Sequence, residues 1–180
     1  MSVDTICTSL RNIAENEVDK VSDTIWNSIC SWGPAAMLPI FQVLGLNYKK
    51  KYITSHIAEN TKTYDTFTKI AFVYPEAVAS LKVGQGVKSE GELIISGTKG
   101  YIYVPAPWWK TDYFEIRYEN PSNNKRYFFQ LEGEGIRGEL VSFLRAIHTG
   151  VQESFVEDII SEGIVKIIES FYNKKDFQKI

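Results

Sequence analysis

The stretch at residues 113–131, YFEIRYENPSNNKRYFFQL, decides the fold class. In an extended chain its first half places one set of side chains on one face (Tyr113, Glu115, Arg117, Glu119) and another set on the opposite face (Phe114, Ile116, Tyr118). This period of two predicts a strand. The run from Asn120 to Asn124 predicts a turn, which leads to a second strand from Arg126 to Leu131. Because no crossover helix separates the two strands, they form an antiparallel pair.

The same pattern extends upstream to Tyr48. Five further segments predict strands, four of them paired as hairpins: Lys51–Ile57, the pair 67–74 and 77–83 around Pro75-Glu76, and the pair 91–96 and 101–104 around a glycine-bounded turn. Together with the helices below, these strands predict an α+β fold. We expect an open, largely antiparallel (mixed) β-sheet with helices packed on one face.

Helical patterns flank this central region. Residues 35–44 are almost entirely apolar and end at Gly45, which predicts a buried helix bent at Pro39. Gly33-Pro34 is expected to interrupt a stretch that begins at Thr24 after a cap at Ser22 or Asp23. At the N-terminal end the sequence predicts a strand at Val3–Leu10 and an exposed loop at 11–21. At the C-terminal end it predicts a helix from Ile136 to Gly150, a helix capped by Ser154, and a solvated tail with Lys174, Lys175 and Lys179.

Composition restricts the function. The chain has 180 residues, of which 44% are hydrophobic and 23% charged, as in an ordinary globular domain. A net charge of -2 argues against a dedicated nucleic-acid binder. No apolar run approaches the roughly 18 residues of a membrane span, and the first residues lack a secretory signal. Two cysteines, Cys7 and Cys30, predict packed or free thiols rather than a disulfide framework or metal site, so a cytoplasmic location is expected.

Motifs for cofactor binding and catalysis are not found. Gly84-Gln85-Gly86 lacks the third glycine of a dinucleotide fingerprint and lies between two strands, and Gly97-Thr98-Lys99-Gly100 fits a hairpin turn. His56 is interpreted as a strand residue and His148 as a surface cap at a helix end. The chain is therefore expected to hold no catalytic, cofactor-binding or metal-binding residue of its own.

An aromatic segment stands out at 104–110, VPAPWWK. Its two prolines stiffen a loop that presents Trp108, Trp109 and Lys110, and indole faces beside an ammonium suit carbohydrate rings or nucleotide bases. The alternative is that the two indoles seal the end of the sheet or an interface. Trp32, beside Gly33-Pro34, has the same two interpretations.

Two stretches carry a family resemblance: GELIISGTKGYIYVPAPWW at 91–109 and LEGEGIRGELVSF at 131–143. They resemble the hairpin and the helix entry in the C-terminal domain of the glucose–fructose oxidoreductase / inositol dehydrogenase / MocA family. The helix that ends at Gly45 and the strand at Val3 follow the order of that family.

The resemblance implies that residues 1–180 form a single substrate-binding and oligomerisation domain. A Rossmann domain absent from this chain would bind NAD or NADP and supply a catalytic lysine, so the chain would be inactive alone. The implied substrate is a sugar, sugar nucleotide or polyol, contacted here by five residues: Ser31, Trp32, Trp108, Trp109 and Lys110. A homo-oligomer through the open sheet face is also implied.

One departure from the family leaves an alternative open. Many members carry an Asp and, four residues later, a His or Tyr on the buried helix, where they assist proton transfer. Here those positions hold Ser31 and Ala35, which are not acid–base groups at neutral pH. Either the absent lysine transfers the proton, or the chain is a non-enzymatic dimerising interaction module.

Overall fold

The computed structural model describes residues 28–57, 65–85, 87–130, 133, 135–151, 156–175 and 177–179. These residues form two compact units, one with the residues up to Val87 and those from Ser154 onward, the other within Lys88–Glu153. The predicted strand at Val3–Leu10, the loop at 11–21, the helix start at 22–24 and the Ser154 cap lie outside the described residues. The interpretation of 1–180 as a single domain stays a prediction.

In chain order the elements of the described residues are α1 (Ser28–Leu44), β1 (Lys50–Ile57), β2 (Asp65–Val73), β3 (Val78–Gly84), β4 (Leu93–Gly97), β5 (Gly100–Val104), a 3-10 turn (Trp108–Lys110), β6 (Tyr113–Tyr118), a 3-10 turn (Pro121–Asn123), β7 (Lys125–Phe128), α2 (Ile136–Thr149), α3 (Asp158–Tyr172) and β8 (Phe177–Lys179). The α+β class is confirmed, as is the open, largely antiparallel sheet architecture. The strands divide into two four-stranded sheets, a division that the sequence pattern did not resolve.

The first sheet has the order β3-β2-β1-β8 and is mixed. Strands β1 to β3 pair antiparallel, whereas β8 runs parallel to β1 with Ile53 opposite Phe177. A solvated C-terminal tail was predicted from Lys174, Lys175 and Lys179. This prediction is wrong for Lys179, which lies on β8. The chain turns after α3 and returns to β1, because an open strand edge offers N–H and C=O groups that a further strand can pair.

Helix α1 runs without a break through Gly33, Pro34 and Pro39. The predicted interruption at Gly33-Pro34 is wrong. Each interior proline costs about 3 kcal/mol of helix propensity, but burial of a large apolar side chain contributes about 1.5–3 kcal/mol. Because Ile29, Met37 and other apolar residues of this helix are buried, tertiary packing offsets the local cost.

The core of the first unit lies between α1, α3 and the first sheet. Phe41 packs edge-on against Phe72 with ring centroids 5.2 Å apart. Helix α3 contributes an apolar stripe, of which four residues are buried: Ile160, Ile164, Ile167 and Phe171. Cys30 on α1 is a thiol whose Sγ lies 3.0 Å from the hydroxyl of Tyr172 on α3, and it forms no disulfide.

The second sheet has the order β4-β5-β6-β7, and every pair is antiparallel. The predicted hairpin closes at Gly97 and Gly100, with Thr98-Lys99 as its turn. Helix α2 ends as predicted, at Gly150, whose N–H donates to the carbonyl of Ala146. This helix is described over its whole length and has no buried residue. Its apolar stripe is between 40% and 66% exposed (Ile136, Leu140, Phe143, Leu144, Ile147).

Candidate functional site

The predicted aromatic segment forms a 3-10 turn between β5 and β6. Trp108 and Trp109 have ring centroids 6.0 Å apart and perpendicular ring planes. Trp108 is half-buried, whereas Trp109 is 59% exposed and Lys110 is exposed. The turn follows a cis peptide bond between Ala106 and Pro107. One indole thus supports the turn while the other presents an aromatic surface.

Gly91 holds this turn against the start of β4. Its carbonyl accepts a 2.9 Å hydrogen bond from the backbone N–H of Trp108. The φ of Gly91 is +66°, a left-handed conformation that favours glycine. A Cβ at this position would lie 3.6 Å from the Ala106 Cβ and 3.9 Å from the Trp109 ring. The glycine therefore supplies the backbone conformation, and the Trp109 ring lies over it.

A phenol and a carboxylate lie at the same end of the second sheet. The hydroxyl of Tyr103 on β5 donates a 2.7 Å hydrogen bond to Glu92 Oε1, just before β4. This bond to Glu92 is the main reason why the pKa of Tyr103 is raised above its usual value. The end of the sheet therefore combines an exposed indole, ammonium and carboxylate with a half-buried phenol. Such a mixture can stack on a sugar ring and hydrogen-bond its hydroxyls.

An ion-pair network continues along the same face of the sheet. Glu115 on β6 accepts from Arg117 Nε at 2.6 Å and also from Arg126 on β7. The guanidinium of Arg117 lies 4.1 Å from the ring centroid of Tyr103 and 5.8 Å from that of Tyr101. The hydrogen bonds from the two arginines lower the pKa of Glu115. Alternation in the sequence had placed Glu115 and Arg117 on one face, but Arg126 joins them only through the register of β6 with β7.

The other two predicted site residues lie on α1 in the first unit. Ser31 is buried, with 4% of its surface exposed. Trp32 is half-buried and packs against the hydrophobic core. Ala35, four residues after Ser31, is half-buried. The structure therefore brings Trp108, Trp109 and Lys110 together on one turn, and places Ser31 and Trp32 side by side on one helix. Their role in substrate binding stays a prediction.

Sequence reasoning missed a buried polar cluster in the first unit. Asp65 at the start of β2 is fully buried, and its carboxylate accepts from the hydroxyl of Thr68 and from the backbone N–H of Ile29 at 3.4 Å. Ser55 Oγ lies 2.6 Å from Thr68 Oγ1, and Ser28 Oγ donates to the Asp65 carbonyl at 2.8 Å. Burial raises the pKa of Asp65, and the hydrogen bonds oppose that rise. A lone Asp beside Thr residues carries no sequence signal for such a cluster.

The described residues do not fit a nicotinamide cofactor. Gly84 ends β3 and is followed by β4 rather than by a helix, and Gly97 and Gly100 close a hairpin. A pyrophosphate site of the fingerprint type needs a helix N-terminus after the glycines. Among the described residues, no group of three or more His, Cys, Asp or Glu side chains could hold a metal ion. None of the described helices is long and apolar enough to cross a membrane.

Comparison with known proteins gives matches among solved structures. No family model matches the sequence, and no curated protein matches it. KijD10, a 3-ketoreductase from Actinomadura kijaniata solved with NADP, matches 96% of this chain and 59% of its own with a TM-score of 0.66 and 10% identity. UDP-N-acetylglucosamine 3-dehydrogenase GnnA from Acidithiobacillus ferrooxidans matches 86% of this chain and 51% of its own with a TM-score of 0.65 and 10% identity. An oxidoreductase from Bacillus cereus matches over 86% of this chain and 53% of its own chain, with a TM-score of 0.59 and 17% identity.

These matches define a class of fold. The chain has an α+β fold found within oxidoreductases and spans about half the length of the solved proteins it matches. The matched proteins are of the glucose–fructose oxidoreductase / inositol dehydrogenase / MocA type. The resemblance stated from residues 91–109 and 131–143 is therefore confirmed at the level of the fold.

Proposed function

We propose that this chain is the C-terminal substrate-binding and oligomerisation domain of an NAD(P)-dependent oxidoreductase. Its substrate would be a sugar, a sugar nucleotide or a polyol, and the chain would be inactive alone. The main observation in support of the proposal is the fold match to a 3-ketoreductase. The match extends over 96% of this chain but over only 59% of the 3-ketoreductase. NAD or NADP would be bound by a further Rossmann domain. A cytoplasmic location is part of the proposal.

The aromatic end of the second sheet supports a sugar-like ligand. Trp109 presents an exposed indole, and Lys110 and the Glu92–Tyr103 pair provide charged and hydrogen-bonding groups at the same end. Apolar ring faces with a few polar groups are the general composition of carbohydrate sites. Ser31 and Trp32 on α1 are the second part of the proposed substrate-binding set.

A binding titration tests the ligand part of this proposal. Tryptophan fluorescence is followed while sugar nucleotides, free sugars and polyols are added to the full chain. We expect saturable quenching by at least one class and its loss in Trp109→Ala. Tyr52→Ala is the matched control, because Tyr52 is also an exposed aromatic, 53% exposed, but lies on the first sheet. Equal losses in both variants, or quenching by none of the compounds, would contradict the proposal.

An activity assay tests the enzymatic part. The protein is expressed together with the coding sequence upstream of Met1, and NAD(P) reduction is measured on the same panel. Turnover by the joined protein and none by the 180-residue chain is the expected result. Complete inactivity and no dinucleotide binding by the joined protein would count against an oxidoreductase.

A non-enzymatic dimerising interaction module is the second candidate. Two points favour it: the family resemblance puts Ser31 and Ala35 at the positions of the acid–base pair, and no described residue between 88 and 151 is buried. A four-stranded sheet without a buried core of its own gains stability when another protein surface covers it. Sedimentation equilibrium measures dimerisation directly. A strict monomer at high concentration would exclude the dimerising interaction module.

A further inference from the structure

The apolar stripe of α2 stays exposed along the whole helix. Phe143, Leu144 and Ile147 are between 62% and 66% exposed, and the helix has no buried residue. A helix of 14 residues is close to the length at which isolated helices are only marginally stable in water. Gly138 lowers its helix propensity further. Because most helical stability in proteins comes from packing of the apolar face, this stripe needs a surface to cover it.

The second sheet offers a face of the same character. Residues directly opposite each other in a ladder share a face, and the ladders of β4, β5 and β6 group five aliphatic side chains: Leu93, Ile95, Ile102, Val104 and Ile116. Phe114 lies on the same side of β6 as Ile116 and stacks on Tyr127 of β7 with ring centroids 5.0 Å apart. The opposite face carries the ion pairs of Glu115. Although β6 is an inner strand, none of its residues is buried. We call the aliphatic side the apolar face of the second sheet.

The stripe and the apolar face have similar dimensions. From Ile136 to Ile147 the helix rises about 17 Å at 1.5 Å per residue. Strand β4 has five residues, so at about 3.4 Å per residue it is roughly 17 Å long. The four strands, spaced about 4.8 Å apart, make the sheet roughly 14 Å wide. A helix of about 10 Å diameter laid along the strands therefore covers most of the face.

We propose that two copies of the chain pair through their second units, with α2 of each copy packed on the apolar face of the other. The inference rests on the oligomerisation role proposed above and assigns the contact that performs it. A two-fold axis makes the exchange reciprocal, because each contact between a helix and a sheet is repeated in the opposite direction.

The area that a dimer needs favours this pairing over two helices alone. A stable interface buries roughly 800 Å² and about 20–30 residues on each partner. One stripe supplies only a fraction of these residues, whereas a stripe together with the apolar face more than doubles the contribution of each copy. The sheet of the same chain does not cover the stripe, since the stripe is exposed in the presence of that sheet. A second copy supplies the missing surface to both elements at once.

Complementation between two variants tests the exchange. The helix variant is Leu140→Gln/Leu144→Gln, which changes two exposed positions and keeps a good helix former at each. The sheet variant is Ile102→Thr/Ile116→Thr, which removes apolar groups but keeps β-branched side chains. Sedimentation equilibrium measures the dimer dissociation constant of the full chain, of each variant and of their equimolar mixture.

The matched control is Ile159→Gln/Val165→Gln. These two residues are also apolar and helical, and they are 61% and 64% exposed, but they lie on α3 in the first unit. Circular dichroism confirms that every variant is folded. If the sheet variant is unfolded, Leu93→Thr on the edge strand β4 takes its place.

We expect the wild type to dimerise and the dimer of the helix variant to dissociate about a hundredfold more readily, because four apolar side chains per dimer lose their burial. The sheet variant should weaken the dimer as well, and the control should behave as the wild type does. The mixture should form dimers at a concentration at which neither variant does so alone. In that mixed dimer one unchanged helix meets one unchanged face.

Three outcomes would overturn the inference. A mixture that recovers no dimer would indicate that α2 packs on its own sheet or on a second α2. A wild-type dimer that the helix variant leaves intact would place the interface on another surface, and the oligomerisation role would stand. A wild type that is monomeric at every concentration would remove both this contact and the oligomerisation role, while the sugar titration and the activity assay would still test the rest of the proposed function.

Discussion

Replacement of Asp65 tests how the buried polar cluster supports α1. The carboxylate joins the start of the helix to β2, because it accepts from the Ile29 N–H and from the Thr68 hydroxyl. Asp65→Ala leaves both donors without this acceptor in a fully buried place. Each unsatisfied buried group costs about 1–3 kcal/mol, so the loss of two should lower the free energy of unfolding by about 2–6 kcal/mol.

Asp65→Asn should behave differently because the network can reverse. The amide oxygen can still accept from Ile29, while the amide N–H donates to Thr68 Oγ1. Either oxygen of the Ser55–Thr68 contact can be the donor, so Thr68 can then donate to Ser55. The asparagine variant should lie within about 1 kcal/mol of the wild type near pH 7, since the buried charge is removed and the hydrogen bonds are kept.

The pH dependence has a definite sign. Burial raises the pKa of Asp65 above its ordinary value of 3.8, so the folded state holds the proton to a higher pH than the unfolded state does. The stability contributed by this group is fully present below pH 3.8 and is lost as the pH rises through the folded pKa. The wild type should therefore lose stability relative to Asp65→Asn between acid and neutral pH.

Urea unfolding followed by circular dichroism at several pH values measures this difference. At each pH, the free energy of unfolding of the asparagine variant is subtracted from that of the wild type. This difference removes the contribution of the other carboxyl groups, which both proteins share. If the wild type instead gains stability relative to the variant as the pH rises, Asp65 is favoured as the carboxylate and the reasoning from burial is refuted. Equal stability of Asp65→Ala and Asp65→Asn would refute the role of the hydrogen bonds.

Three further predictions concern the core and the second sheet. Gly100→Ala should lower the melting temperature more than Gly97→Ala, because a Cβ at 100 would overlap the carbonyl oxygen of Arg117, whereas one at 97 would meet its nearest atom at 3.4 Å. Glu115→Gln should lower the thermal midpoint at neutral pH, and the difference should shrink as the pH falls through the lowered pKa of Glu115; a constant difference would contradict the ion-pair explanation. Phe41→Ala should cost about 3–5 kcal/mol in urea unfolding, since Phe41 is 1% exposed, and a cost near zero would place it outside the core.

Local patterns predicted many of the elements correctly. The alternation in β6, the turn before β7 and the glycine-bounded β4–β5 hairpin are formed by neighbouring residues. The stripe of α3 repeats at helical spacing, and Gly150 ends α2 through its own backbone conformation. These signals need no distant partner, so periodicity and turn chemistry were enough to find them.

The errors have a common cause in long-range contacts. Local propensity predicts that Pro34 interrupts the helix. The burial of Ile29 and Met37 instead keeps α1 continuous. The residues after Lys175 carry charges typical of a solvated tail, but β1 has an open edge that pairs with β8. Asp65 has no local signal for burial, because the helix end that it contacts through the Ile29 N–H lies 36 residues away in the sequence.

The amino-acid sequence by itself determined the class of fold, the positions of most hairpins, and the aromatic turn at Trp108 and Trp109, because each depends on residues within a few positions of one another. Only the tertiary structure decided the division into two sheets, the pairing of β8 with β1, and the opposition of Lys69 to Lys82. Those features depend on strand register and on burial between distant segments. A linear pattern states which face a side chain occupies but not which neighbour it meets there.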